Sequence, residues 1–225
     1  LDGEGAAILQ KQLEGMGIKF ILGAKSKSIK EKGHTRILEL ADGRVIESDF
    51  ILVSAGIIPN TTLARTAGIS VNKGVLVNDG METNIASIYA AGDVAEHKGR
   101  VYGIWPASQR QGVVAGINMA GGNETYMGTV PSTTLKVAGI RLTSMGDVLA
   151  EDKAIEQIKV KDTDKYIYKK LFIKDGRLVG AILLGDNKNA SELAQLMEKK
   201  VDVGRFKEKI LEPDFDMKSI EREAG

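Results

Sequence analysis

Cysteine is absent from the 225 residues, which excludes a disulfide scaffold, a thiolate metal site and any redox-active dithiol on this chain. Histidine is scarce as well. His34 and His97 stand apart from each other, and neither joins the scattered carboxylates at a recognisable metal-ligand spacing. An excess of either charge is also missing: 31 basic residues offset 30 acidic ones, leaving +1. No global field therefore favours nucleic acid or an anionic membrane surface, and neither is expected as a partner. No apolar run reaches the roughly 18 residues that a membrane span requires, and the start has neither a basic n-region nor an apolar h-region. The chain reads as cytoplasmic. A sixth absence concerns glycine: no GxGxxG follows a strand anywhere, so a glycine-rich pyrophosphate loop is lacking. What remains is the composition of an ordinary globular protein, 43% hydrophobic and 27% charged, long enough for one large or two modest domains.

The stretch around which the chain is organised is Thr83 to Ala95, TNIASIYAAGDVA. Ile88 to Ala91 reads as a short buried strand that Gly92 and Asp93 end, at the place where an open α/β sheet meets a ligand. Glycine lets a bulky partner approach the backbone, and the aspartate offers an acceptor to a sugar-like hydroxyl. Downstream, YGIWPASQRQG opens a helix over Trp105 to Met119, with Pro106 in its first turn and Ala107, Val113, Val114, Ala115 and Ile117 on its apolar faces. Gly112 and Gly116, four apart, let such a helix lie close against a neighbouring element or a ligand.

Together these segments resemble the second flavin-binding motif of the FAD-dependent pyridine nucleotide-disulfide oxidoreductases. The wording is most similar to the branch of rubredoxin reductases and the large subunits of NAD(P)H nitrite reductases. The resemblance implies FAD and NAD(P)H as cofactors. It assigns Asp93 to the ribityl chain, Gly92 to the close approach, and the backbone at Ile104 and Trp105 to the pyrimidine edge of the isoalloxazine. The N-terminus of the helix, carrying roughly half a positive charge, would stabilise an anionic reduced flavin. For Trp105, the only tryptophan, ring contact and half-buried packing stand as equal readings. His97 is read as part of a polar loop over residues 94 to 99, a proton donor to reduced flavin being the functional alternative. Disulfide reductases of the family use a histidine-bearing C-terminal interface domain, and no such histidine is found here beyond His97, which speaks against a disulfide reductase.

The remaining elements follow from punctuation and period. Asp2 caps a helix with Ile8, Leu9, Leu13 and Met16 at helical spacing, and Ile18 to Leu22 follows as a strand. Residues 26 to 47 alternate as strands around the Asp42-Gly43 turn. Asp49 to Gly56, DFILVSAG, is the continuous apolar run of a central parallel strand. Asn60 caps a short helix from Thr61 to Ala67, and two short strands flank Asn72 to Gly74.

Near Tyr126 a new α+β unit begins, with strands at Leu135–Val137, Ile140–Leu142, Ile155–Val160 and Lys165–Ile173, a turn at Asp175-Gly176, a strand at Leu178–Leu184 and a helix at Ala190–Lys199. The charged tail from Asp202, with Phe206 and Phe215, reads as a terminal strap in preference to a partner-docking arm.

The expected fold is thus α/β: partial NAD- and FAD-binding Rossmann-type segments followed by a smaller α+β C-terminal domain. Residues 1–56 form the last part of an NAD(P)-binding domain, 57–124 a second FAD-binding segment and 125–225 the C-terminal domain. With both dinucleotide loops missing, the chain resembles the C-terminal portion of a flavoprotein oxidoreductase passing electrons from NAD(P)H through FAD to rubredoxin, a nitrite-reducing centre or oxygen. Alone it is expected to be inactive. The alternatives are a non-catalytic assembly or docking module and one subunit of a split flavoenzyme. Expected partners are an electron acceptor, protein or small molecule, the missing N-terminal portion, and a second copy in a homodimer.

Overall fold

The computed structural model describes residues 1–137, 139–149 and 152–224. It divides into two units, Leu13–Ile57 and a larger one comprising Leu1–Gln12 with Ile58–Gly225. Helices and sheets are mixed throughout, as an α/β chain requires.

The smaller unit is an antiparallel meander of β1 (Ser26–Lys32), β2 (Thr35–Leu40) and β3 (Val45–Ser48). Its turns fall at Gly33 and Gly43, both left-handed, and Asp42 Oδ1 accepts the Arg44 N–H across the second. Lys27, Ser28 and Lys30 of β1 converge on Glu39 of β2 and hold its carboxyl down at about 2. Two expectations fail here. Neither Ile18–Leu22 nor Asp49–Gly56 is a strand. An apolar run becomes a central strand only with a ladder on each edge, and among the described residues neither segment has one. Phe50 and Leu52 accordingly remain 77% and 82% exposed.

In the larger unit, the start of α1 (Gly3–Gly15) is capped as expected, the Gly5 N–H reaching Asp2 Oδ1 at 3.0 Å. Next comes α2 (Thr62–Thr66), where the cap lies one residue from expectation: Thr61 is the N-cap residue, and Asn60 Oδ1 accepts the Thr62 N–H at 3.3 Å. Val75–Val77 (β4) pairs in parallel with Ala95–His97 (β5). Ahead of β4 the expected second strand is reduced to a single bridge from Val71 to Val75. The third helix, α3 (Trp105–Met119), has the expected bounds. Around it Met81, Ala95, Val114, Ala115 and Tyr126 form one core.

The strand expected over Ile88–Ala91 is not formed. Tyr89 makes one bridge to Glu82, and the strand lies on the far side of Gly92-Asp93, as β5. The cause is Glu96. Its carboxylate, almost fully buried, accepts the Lys73 and Gly74 N–H groups and the Asn72 side-chain amide, drawing residues 95–97 beside β4. Burial pushes this carboxyl up, but the three donors outweigh it and the net shift is downward.

The C-terminal part is a five-stranded antiparallel sheet in the order β6-β7-β10-β9-β8, built from β6 (Ser132–Val137), β7 (Ile140–Gly146), β8 (Glu156–Asp162), β9 (Ile167–Lys174) and β10 (Arg177–Leu184). Strands alternate faces with period two. Leu171, Ile173, Ala181 and Leu183 bury one face beneath α4 (Ala190–Glu198), whose Leu193, Leu196 and Met197 point inward, and beneath Met217 and Ile220 at α5 (Lys218–Ala224). On β9 the alternate residues Tyr168 and Lys170 meet the start of α1: Tyr168 Oη and Lys170 Nζ each donate to Asp2 Oδ2, at 2.7 and 2.8 Å. The tail is a strap, as expected, with Phe206 and Phe215 packed against the core and their rings 6.0 Å apart.

Candidate functional site

Gly92 and Asp93 open a single turn of 3-10 helix, entered from extended Ala91. Gly92 has φ of +83°, a conformation that a side chain disfavours by roughly 1–2 kcal/mol. Two side chains of α3 hold this turn. Gln111 Oε1 accepts the Gly92 N–H at 2.8 Å, and Ser108 Oγ lies 3.1 Å from Asp93 Oδ1 as donor and 3.2 Å from the Ile104 carbonyl. The four expected residues are thereby drawn to one place, Gly92 and Asp93 against the helix that Ile104 and Trp105 begin.

That helix end is uncapped. Ile104, the N-cap residue, is extended and apolar, no side chain caps the turn, and Pro106 brings no N–H. With 15 residues behind it, the end concentrates a positive partial charge where its backbone donors lack partners. Trp105 is 78% exposed, so the half-buried packing reading for it fails. Asp93 is exposed too, and among the described residues its Oδ2 has no partner. A carboxylate acceptor and a set of backbone donors thus face outward from one small surface, a pairing that suits a ligand carrying both hydroxyls and an electron-rich edge. Flavin fits this description.

Two departures from the sequence reading stand out. Gly112 and Gly116 face open space among the described residues, since a Cβ on either would meet nothing within 4 Å. His97 is not in a loop. It ends β5 with 2% exposure, its Nε2 2.7 Å from Asp79 Oδ1 and its ring edge-on to Tyr126 at 5.0 Å. Only Lys98 and Gly99, both left-handed, make the turn. Lys98 Nζ also reaches Asp79 at 2.8 Å, and with His97 it holds the Asp79 carboxyl below its usual range.

Sequence reading passed over Ser108 and Gln111. Their signal was available: Ile104, Ser108 and Gln111 recur at helical spacing, placing two polar side chains on a face shared with buried Ala107, Val114 and Ala115.

Comparison with known proteins identifies the family of the chain. A family model for pyridine nucleotide-disulphide oxidoreductase covers residues 1–112, and one for the rubredoxin NAD+ reductase C-terminal domain covers residues 131–201. Nitrite reductase [NAD(P)H] of Bacillus subtilis (strain 168) is 37% identical over 227 residues, covering 100% of this chain and 27% of that protein. NADH-rubredoxin oxidoreductase of Clostridium acetobutylicum is 31% identical over 198 residues, 88% of this chain and 48% of its own length. The solved structure of a NAD-dependent persulfide reductase from A. fulgidus superposes with a TM-score of 0.75 at 24% identity, over 89% of this chain and 42% of that one, a likeness of fold. The chain thus spans about a quarter to a half of the length of these curated relatives. The two family models, consecutive along the sequence, show that the chain belongs to the pyridine nucleotide-disulphide oxidoreductase family, in the branch with a C-terminal domain of the rubredoxin NAD+ reductase type.

Proposed function

We propose that this chain supplies the flavin-end half-site of a cytoplasmic flavoprotein oxidoreductase that passes electrons from NAD(P)H through FAD to an acceptor: rubredoxin, a nitrite-reducing centre or oxygen. FAD and NAD(P)H are the cofactors of the family, and FAD supplies the redox chemistry when bound. The protein's part is to bind and orient. In this reading Asp93 accepts from a ribityl hydroxyl, Gly92 leaves room for the approach, and the backbone at Ile104 and Trp105 faces the pyrimidine edge with the positive end of α3. The divisions at residues 56 and 124 belong to the same reading. So do a polypeptide supplying the glycine-rich loops and pairing with a second copy.

The observation that carries the proposal is the tie between Asp93 and the start of α3 through Ser108. It fixes an acceptor and an uncapped helix N-terminus on one exposed surface before any ligand arrives, and such preorganisation lowers the cost of binding. Titration of FAD into the purified chain, followed by flavin fluorescence, tests it. Saturable micromolar binding is expected, weakened about tenfold in Asp93→Ala, which corresponds to ~1.4 kcal/mol. Absence of saturable binding, or equal affinity in the variant, overturns the assignment.

A further inference from the structure

Gln111 is 1% exposed, yet it lies on the helix face that meets Gly92. Its Oε1 takes the Gly92 N–H, while its Nε2 is buried with no hydrogen-bond partner. A buried, unpaired amide donor is a cost that a core position ordinarily avoids by carrying an apolar residue. The other half of the amide explains why glutamine stands here. Gly92 begins its turn in the left-handed region, and its N–H donates to this side chain at 2.8 Å. Without it this half-buried N–H would lose its protein partner.

We infer that Gln111 is a positioning residue for the flavin contact: it anchors the Gly92 peptide, and through it fixes where the Asp93 carboxylate points. The inference rests on the flavin reading of the site. Ser108 holds Asp93 from its Oδ1 side, so Gln111 and Ser108, three residues apart on α3, clamp the two consecutive residues of the motif.

The test uses the full chain, labelled with 15N, and two variants. Gln111→Met keeps length and volume but removes the acceptor; Gln111→Glu keeps an acceptor at the same reach. Amide exchange at Gly92 and FAD affinity are measured on each, alongside thermal stability. Expected for Gln111→Met is Gly92 exchange accelerated at least tenfold and FAD affinity weakened about tenfold, whereas Gln111→Glu retains slow exchange and FAD affinity within threefold of the parent. Rescue by the glutamate separates an anchoring role from packing, because both variants disturb the core and only one loses the acceptor. Unchanged exchange at Gly92 in Gln111→Met overturns the inference, as does equal loss of FAD in both variants. Should the unmodified chain take up no FAD, the flavin reading falls, and the exchange rates still decide the anchor: acceleration in Gln111→Met upholds it and parity overturns it.

Discussion

At the level of single residues, side chains that look ordinary in sequence hold the positions that matter. Gly92 is one. A Cβ there would sit 3.6 Å from Ser108, an ordinary contact, so space does not require glycine; the φ of +83° does. Gly92→Ala is therefore expected to lower the melting temperature by about 2–8 °C through backbone strain of about 1–2 kcal/mol. A variant that melts with the parent would show that the turn relaxes freely. Asp2 is another. Burial pushes its carboxyl up, but Lys170, Tyr168 and the Gly5 N–H together bring it below the ordinary value. A carboxyl depressed in the folded state contributes stability above its unfolded pKa and loses it as pH falls through the folded one. The contribution of Asp2 is thus fully present at neutral pH, begins to fall near the ordinary carboxyl value of about 4, and is lost as pH drops through the lower folded value. Asp2→Asn leaves the Lys170 ammonium, 11% exposed, without its anion, an expected loss of about 3 kcal/mol at pH 7. Urea unfolding at pH 7 and pH 3 checks this, the difference between parent and variant shrinking at the lower pH.

Elements were legible in proportion to how locally they are determined. The third helix, the β9–β10 hairpin and α4 carry their own signals: proline in a first turn, Asp175-Gly176 between apolar runs, and Leu193, Leu196 and Met197 on one face. Residues 49–56 and 88–91 were misread because an apolar run specifies burial, while a strand also needs a partner backbone. Conversely, β5 was missed because Glu96 and His97 are polar. They are buried by side-chain hydrogen bonds to Asn72 through Gly74 and to Asp79, which no local period announces. The C-terminal sheet contains a further non-local feature. Gly146 and Gly180 face each other across β7 and β10, and a Cβ on Gly146 would lie 2.2 Å from the Val179 carbonyl oxygen, on Gly180 2.4 Å from that of Asp147. Gly146→Ala, also left-handed in φ, is expected to cost more than about 2 kcal/mol in chemical denaturation. A smaller loss would mean that the strands separate easily there.

For the whole molecule, the sequence conveyed the class of chemistry through one motif, and its support only through the helical spacing of Ser108 and Gln111. The motif residues Gly92, Asp93, Ile104 and Trp105 were found by resemblance, and the structure adds the polar clamp of Ser108 and Gln111 that gathers them. Among the described residues no helix is long and apolar enough to cross a membrane. In the proposed reading the chain meets the flavin end of FAD, and residues 1–225 include no GxGxxG loop for the pyrophosphate and adenosine end. Displacement of bound FAD by fragments of the cofactor tests this division directly. Riboflavin is predicted to compete with FAD within about tenfold of its affinity, and ADP at the same concentrations to leave the flavin signal unchanged. Displacement by ADP with none by riboflavin would contradict the assignment of Asp93 and the start of α3 to the flavin.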